Sequence, residues 1–178
     1  MLSGNWELPI GKGKALLSSA HGRLGVIVGG WQVNAILSLQ TGFPLGVSTA
    51  SNQTNSFGGG SRPNNNGTSA ALDGSTKSRL DRWFNTSVFS QPTPFTFGNT
   101  SRTLPDVRTP GLNNVDFSIT KITRITERVT NQFRAEFFNG FNHPNFGSPG
   151  TGLGNATFGV ISSALDPRII QLGMKIVF

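Results

Sequence analysis

The residues best suited to acid–base, nucleophilic or metal chemistry are few and far apart. Only two histidines occur, His21 and His143, and neither stands in a His-Glu-x-x-His arrangement that would put two ligands on one helix face. Serines are plentiful, but none sits in a Gly-x-Ser-x-Gly elbow, the strained turn that exposes a nucleophile. Gly11-Lys12-Gly13-Lys14 lacks the spacing of a phosphate-cradling loop. Asp73, Asp81, Asp106 and Asp166 are too dispersed for a calcium loop. With no cysteine there is no disulfide, no thiolate metal site and no thiol nucleophile. No catalytic, cofactor or metal site emerges, and the chain is expected not to be an enzyme.

The positions that carry information are those whose polarity alternates. In the last expected strand, 168–178, Leu172, Met174, Ile176 and Phe178 share one parity over the final eight residues, and Gln171, Gly173, Lys175 and Val177 the other. A side-chain period of two defines a strand with one apolar face. In 30–47 the row Trp31, Val33, Ala35, Leu37, Leu39, Phe43, Leu45 opposes Gln32, Asn34, Ser38, Gln40, with Thr41 and Ile36 as breaks. That row is longer than the roughly 9–11 residues a tilted strand needs to cross a bilayer. Its aromatic ends, Trp31 and Phe43, fall where interfacial girdles belong. Shorter alternations mark strands near 4–10, 114–124 (Phe117 and Ile119 against Asp116) and 131–141 (Phe133 and Phe137 against Arg134 and Glu136). Both charged residues of the last strand keep one parity, which avoids a cost of about 2–4 kcal/mol for Arg at the lipid midplane.

Between the strands, 11–29 is a connection with one helical turn, and 125–130 is a short polar turn. Residues 48–112 and 142–167 are long Gly/Asn/Pro-rich loops, the first holding Gly58-Gly59-Gly60, an Asp81-Arg82-Trp83-Phe84-Asn85 cluster, Phe89, Phe95 and Phe97. Long and short connections alternate, as long extracellular loops and short periplasmic turns do in outer-membrane barrels. With Phe178 at the periplasmic end, both long loops lie outside.

Composition agrees with this pattern. Charged residues make up 13% of the chain, about half the usual share, and the 23 Gly and 14 Phe suit short strands and polar loops. The net charge of +7 raises the question of nucleic acid, but the basic residues are scattered without a Lys/Arg run, and no nucleic-acid partner is expected. No apolar stretch reaches the length of a membrane helix, and Met1-Leu2-Ser3-Gly4-Asn5 does not open a signal peptide.

Three groups of residues carry a family resemblance: Gly29-Gly30-Trp31-Gln32-Val33 with Gln40-Thr41-Gly42-Phe43-Pro44; Trp83-Phe84-Asn85, Phe97-Gly98-Asn99 and Pro110-Gly111 before Asn114, Asp116 and Lys121; and Gln132-Phe133-Arg134-Ala135-Glu136-Phe137-Phe138-Asn139 with Phe141-Asn142-His143-Pro144. Together they resemble the C-terminal barrel region of TonB-dependent receptors of the Oar-like type. The terminal segment also resembles the barrel-assembly signal of outer-membrane proteins, on Gln171, Gly173, Ile176 and Phe178. The resemblance implies a Gram-negative outer-membrane location, no cofactor, and transport by the parent in either direction. It implies four partners: membrane lipid, the remainder of the receptor (plug and upstream strands), TonB, and the assembly machinery.

The expected fold is therefore all-β: an antiparallel up-and-down meander of about five strands, part of a large transmembrane barrel with long extracellular loops. Residues 1–178 would be the C-terminal segment of such a receptor, a fragment not competent for transport alone. Trp31, Val33, Leu37, Leu39, Phe43, Phe117, Ile119, Phe133 and Phe137 would face lipid. Gln32, Asn34, Gln40, Asp116, Arg134, Glu136 and Lys175 would face the lumen, the charged ones as a network on the inner wall. The alternative is a soluble, secreted, β-rich glycan-binding module with Trp83, Phe84 and Phe89 as its stacking platform.

Overall fold

The computed structural model describes residues 1–57 and 60–178; Gly58 and Gly59, two of the three glycines expected in the first loop, lie outside the described residues. In chain order the elements are β1 (Leu2–Glu7), α1 (Gly22–Val28), β2 (Trp31–Gln40), β3 (Ser48–Thr49), β4 (Asn64–Asn65), β5 (Phe89–Ser90), β6 (Leu112–Arg124), β7 (Thr130–Phe138), β8 (Gly152–Leu153) and β9 (Ile169–Val177). The chain divides into two compact units: 1–39 with 113–144 and 166–178, and 40–112 with 145–165.

The first unit is one five-stranded sheet in the order β1-β2-β6-β7-β9. Long strands that neighbour one another in sequence lie side by side, as an up-and-down meander requires, and the pairs β1/β2, β6/β7 and β7/β9 are antiparallel. Registers are continuous: Trp6 faces Val33, Phe117 faces Phe137, and Phe137 also faces Ile170. A five-residue turn joins β6 to β7, closed by the Ile125 amide donating to Val129 O at 2.9 Å. Gly30, at φ 74°, starts β2 where a Cβ would lie 2.2 Å from Ile122 O, so only glycine lets the two backbones pair so closely there.

Three expected boundaries differ: the strand expected over 131–141 ends at Phe138, where Asn139 takes a positive φ of 48°, and the first two strands also change. The first strand covers Leu2–Glu7 and not 4–10, because Pro9 has no amide to extend the ladder. The second stops at Gln40 and does not continue to 47. At Gly42 a Cβ would fall 1.6 Å from Thr109 O, and the chain turns out of the sheet through this close approach. Phe43 then exchanges two hydrogen bonds with Thr109 (its amide to Oγ1 and its carbonyl from the Thr109 amide, both 2.9 Å), while Pro44 bridges to Arg108. Apolar alternation continues past the point where backbone geometry ends the strand.

The second unit is built from the two expected loops, and it contains the main hydrophobic cluster of the described residues. Leu45, Val47, Ala70, Trp83, Phe84, Val88, Phe89, Leu104, Val107 and Ile161 are buried together. Phe84, Phe89 and Phe158 meet edge-to-face with ring centroids 5.2–6.0 Å apart, the arrangement the ring quadrupole favours. Regular pairing is minimal, with β3 parallel to β8 and β4 antiparallel to β5. Side chains replace the missing ladders. The Asn65 amide donates to Asn99 Oδ1 (2.7 Å), the Asn99 amide to Asn64 Oδ1 (3.1 Å), and Asn99 Nδ2 to Asn65 O (3.1 Å). Thr100 Oγ1 donates to Pro63 O at 2.6 Å. Short polar side chains that bond nearby backbone explain why an Asn- and Thr-rich segment orders without strands.

Candidate membrane-facing surface

The functional feature of the first unit is the separation of its two faces, which the registers fix. Phe117 and Ile119 on β6 stand opposite Phe137 and Ala135 on β7, which stand opposite Ile170 and Leu172 on β9; Phe133 stands opposite Met174. Towards the other edge of the sheet Trp6, Gly4 and Leu2 oppose Val33, Ala35 and Leu37. Asn34 Nδ2 donates to Ser118 Oγ at 3.2 Å, so even-numbered β2 residues share a face with even-numbered β6 residues. Trp31, Val33, Leu37, Leu39, Phe117, Ile119, Phe133 and Phe137 therefore all lie on one apolar face. Phe117 and Phe137 stack at 4.6 Å between centroids. Many of these side chains remain exposed, among them Leu39, Leu172 and Met174.

Phe43 does not belong to this face. It lies beyond β2 in the second unit, exposed, beside Pro110, Phe146 and Leu165 along a cavity of about 370 Å³. Leu45, expected on the same row, is buried in the second unit's core. Their parity matched the strand, but the strand had already ended.

Gln32, Asn34, Gln40, Asp116, Arg134, Glu136 and Lys175 occupy the opposite parity of their strands. The expected charge network is reduced to one contact, Arg134 to Glu136 at 3.4 Å. Asp116 instead accepts from Asn114 Nδ2 and from the Asn139 amide, both at 2.8 Å, and Lys175 stands opposite Gln132. The spacing explains this: Asp116 lies four residues along β6 from Thr120, the residue opposite Arg134. Apolar residues also interrupt this face, with Phe138 facing Ile169 at one end and Val177 at the other.

The terminal signal positions fall on β9 and just past it. Gln171 faces Glu136, Gly173 faces Arg134, and Ile176 faces Asn131. Phe178 follows the strand and is almost wholly exposed. Both outer strands, β1 and β9, pair on one side only and are exposed along their whole length.

One side chain was missed by alternation. Lys121 lies on the apolar face, opposite Phe133. Its ammonium sits 5.4 Å from the centre of the Trp31 ring and donates to Val26 O (2.6 Å) and to Gly29 O. Trp31 Nε1 donates to Ile27 O at 3.0 Å. The final carbonyls of α1 thus receive a cation and an indole, complementing the partial negative charge of a helix C-terminus. The position of Lys121, three residues from the end of β6, was the available clue.

The histidines remain apart. His21 lines an open cavity of about 650 Å³ with Glu7, Lys12, Lys14, Gln32 and Arg124. His143 lies where β7 gives way to the next connection: its amide donates to Asn139 Oδ1 and its carbonyl accepts from Asn139 Nδ2, both at 2.9 Å. Among the described residues no three His, Asp or Glu side chains cluster as metal ligands. The glycan platform is overturned. Trp83, Phe84 and Phe89 are at most 6% exposed, the Trp83 indole donates to Arg108 O at 2.7 Å, and Arg79 covers the ring at 4.4 Å. No ring face is left for a sugar.

No described helix is long and apolar enough to cross a membrane. An antiparallel meander with one apolar and one polar face is the building plan of a transmembrane barrel wall. The chain belongs to the outer membrane beta barrel domain family, whose model matches residues 1–171. It is an outer-membrane protein. No curated protein and no solved structure matches it.

Proposed function

We propose that the chain is the C-terminal part of the barrel of a TonB-dependent receptor of the Oar-like type, a transport protein without catalytic activity of its own. The observation that carries this reading is the five-stranded sheet, whose registers keep most apolar and polar residues on opposite faces, in a chain of a barrel family. The unpaired backbone edges of β1 and β9 support a wall continued by further strands, since each unsatisfied group in hydrocarbon costs several kcal/mol. Five strands are too few to close around a solute path; the smallest single-chain barrels use about eight. The rest of the receptor would supply those strands and the plug. TonB would act through the parent, and the assembly machinery on Gln171, Gly173, Ile176 and Phe178.

The residues of the resemblance also have local physical roles that suit a barrel wall. Gly30 and Gly42 allow close backbone approaches, and Asn139, at φ 48°, ends β7 and ties its side chain to His143 O and Asp166 O. Reading the DNA immediately upstream of the Met1 codon tests the receptor assignment. An open frame encoding a plug and an export signal is the expected result. A stop codon followed by a ribosome-binding site directly before Met1 overturns it.

A further inference from the structure

One end of the sheet is marked by Glu7, Trp31, Arg124, Thr130 and Val177, and it carries the segment leading into α1 and the β6–β7 turn. This end has an unusual surface. None of the seven residues of α1 is buried. Leu16, Leu17, Leu24, Val26 and Ile27 are each 50–64% exposed, five large apolar residues within a span of twelve. Lys12, Lys14 and Arg124 line the cavity beside α1 together with Glu7, which pairs with Lys14 at 3.0 Å; Arg23 lies in α1 itself, and Lys121 reaches its last carbonyls.

The tether of α1 shows which side these residues serve. Its terminal carbonyls are held by Trp31 and Lys121, and both project from the apolar face of the sheet. The exposed leucines and isoleucine are therefore continuous with the surface that faces lipid in a barrel. Apolar side chains edged by cations match the boundary between acyl chains and anionic headgroups.

We propose that residues 15–28 form an interfacial anchor, with Leu24 and Ile27 lying in the acyl region of the bordering phospholipid leaflet and the surrounding cations facing anionic headgroups. The inference rests on the barrel reading. It adds that the wall is gripped at one end by a non-strand element, which fixes its depth and its preference for acidic phospholipid.

The absence of cysteine makes single-site labelling direct. Leu24→Cys, Ile27→Cys, Leu37→Cys on the apolar face and Thr68→Cys in the second unit would each carry an environment-sensitive fluorophore, in the complete parent barrel refolded into phosphatidylglycerol/phosphatidylethanolamine vesicles. Labels at 24 and 27 should be quenched by brominated acyl chains, as at 37, and be several-fold less accessible to iodide than the label at 68. Protection at 24 and 27, but not at 37, should fall in phosphatidylcholine vesicles and with Arg23→Glu. Lipid quenching at 37 with iodide quenching at 24 and 27 overturns the anchor and leaves the barrel wall standing. Iodide quenching at all four sites overturns both. Equal protection in acidic and zwitterionic bilayers overturns the headgroup preference.

Discussion

Moving one arginine by a single residue should destabilise the membrane-inserted sheet strongly. Arg134 projects from the polar face of β7 between Thr120 and Gly173, while Ala135 projects from the apolar face between Ile119 and Leu172, with Phe133 and Phe137 two residues away on either side. Ala135 is the sixth residue of a nine-residue strand, near its middle. The exchange Arg134→Ala with Ala135→Arg preserves composition and charge but puts a guanidinium among apolar side chains at mid-membrane depth. The expected cost is about 2–4 kcal/mol, or about 30- to 700-fold in the folded-to-unfolded ratio. Losing the half-exposed Arg134–Glu136 pair adds at most about 1 kcal/mol, and Arg134→Ala alone measures that share. Urea unfolding of the complete parent barrel in lipid vesicles, followed by heat-modifiable gel mobility, is a suitable assay. With a slope of about 2 kcal/mol per M, the middle of the usual range, the exchange should lower the midpoint by about 1–2 M relative to Arg134→Ala. Equal midpoints for the two variants would refute the assignment of faces.

Three further outcomes concern the second unit. Phe84→Ala removes the fully buried ring at the centre of the aromatic triad and should cost about 3–5 kcal/mol; trypsin should then cut the intact chain rapidly at Lys77, Arg79 or Arg82. Gly98→Ala places a Cβ 2.0 Å from Arg62 O and 2.4 Å from Pro63 O, so a loss of about 1–3 kcal/mol is expected in thermal unfolding. Asp106 accepts from Ser69 Oγ (2.5 Å) and from the Ala70 amide (2.9 Å). The Ser69 hydroxyl bond, helped by backbone amides against a smaller opposing effect of burial, holds its carboxyl below the usual aspartate range. A lowered folded-state pKa stabilises above the unfolded-state value and is lost as pH falls through the folded one. Stability should therefore decline below about pH 4, and Asp106→Asn should flatten that decline in pH-dependent melts.

The strands were legible because alternation is a local signal and the polarity contrast in 114–124, 131–141 and 168–178 is strong. The face assignments of Phe117, Phe133 and Arg134 follow from that contrast alone. Where β2 ends was not legible: Phe43 and Leu45 continue its parity, and the interruption is set by the approach of Gly42 to Thr109, sixty-seven residues away. The second unit was hidden for a related reason. Its core residues, from Leu45 to Ile161, have no common period, and the backbone bonds made by Asn99, Thr100 and Asp106 join segments remote in sequence. The aromatic cluster around Trp83 was visible, but whether its rings were buried or displayed depended on contacts that no spacing encodes. Lys121 broke the apolar row, and only its partners on α1 give it a place there.

The central claim is that the apolar face of this sheet, odd-numbered on β2, β6 and β7 and even-numbered on β1 and β9, lies against lipid. The most direct measurement is a spin-label scan of β2, one cysteine at a time from Trp31 to Gln40, in the complete parent barrel refolded into bilayers. Oxygen, which partitions into lipid, should collide most with labels at odd positions, and a water-soluble nickel reagent with labels at even positions, alternating along the strand. Collision rates that do not alternate, or that alternate with the opposite phase, would contradict it.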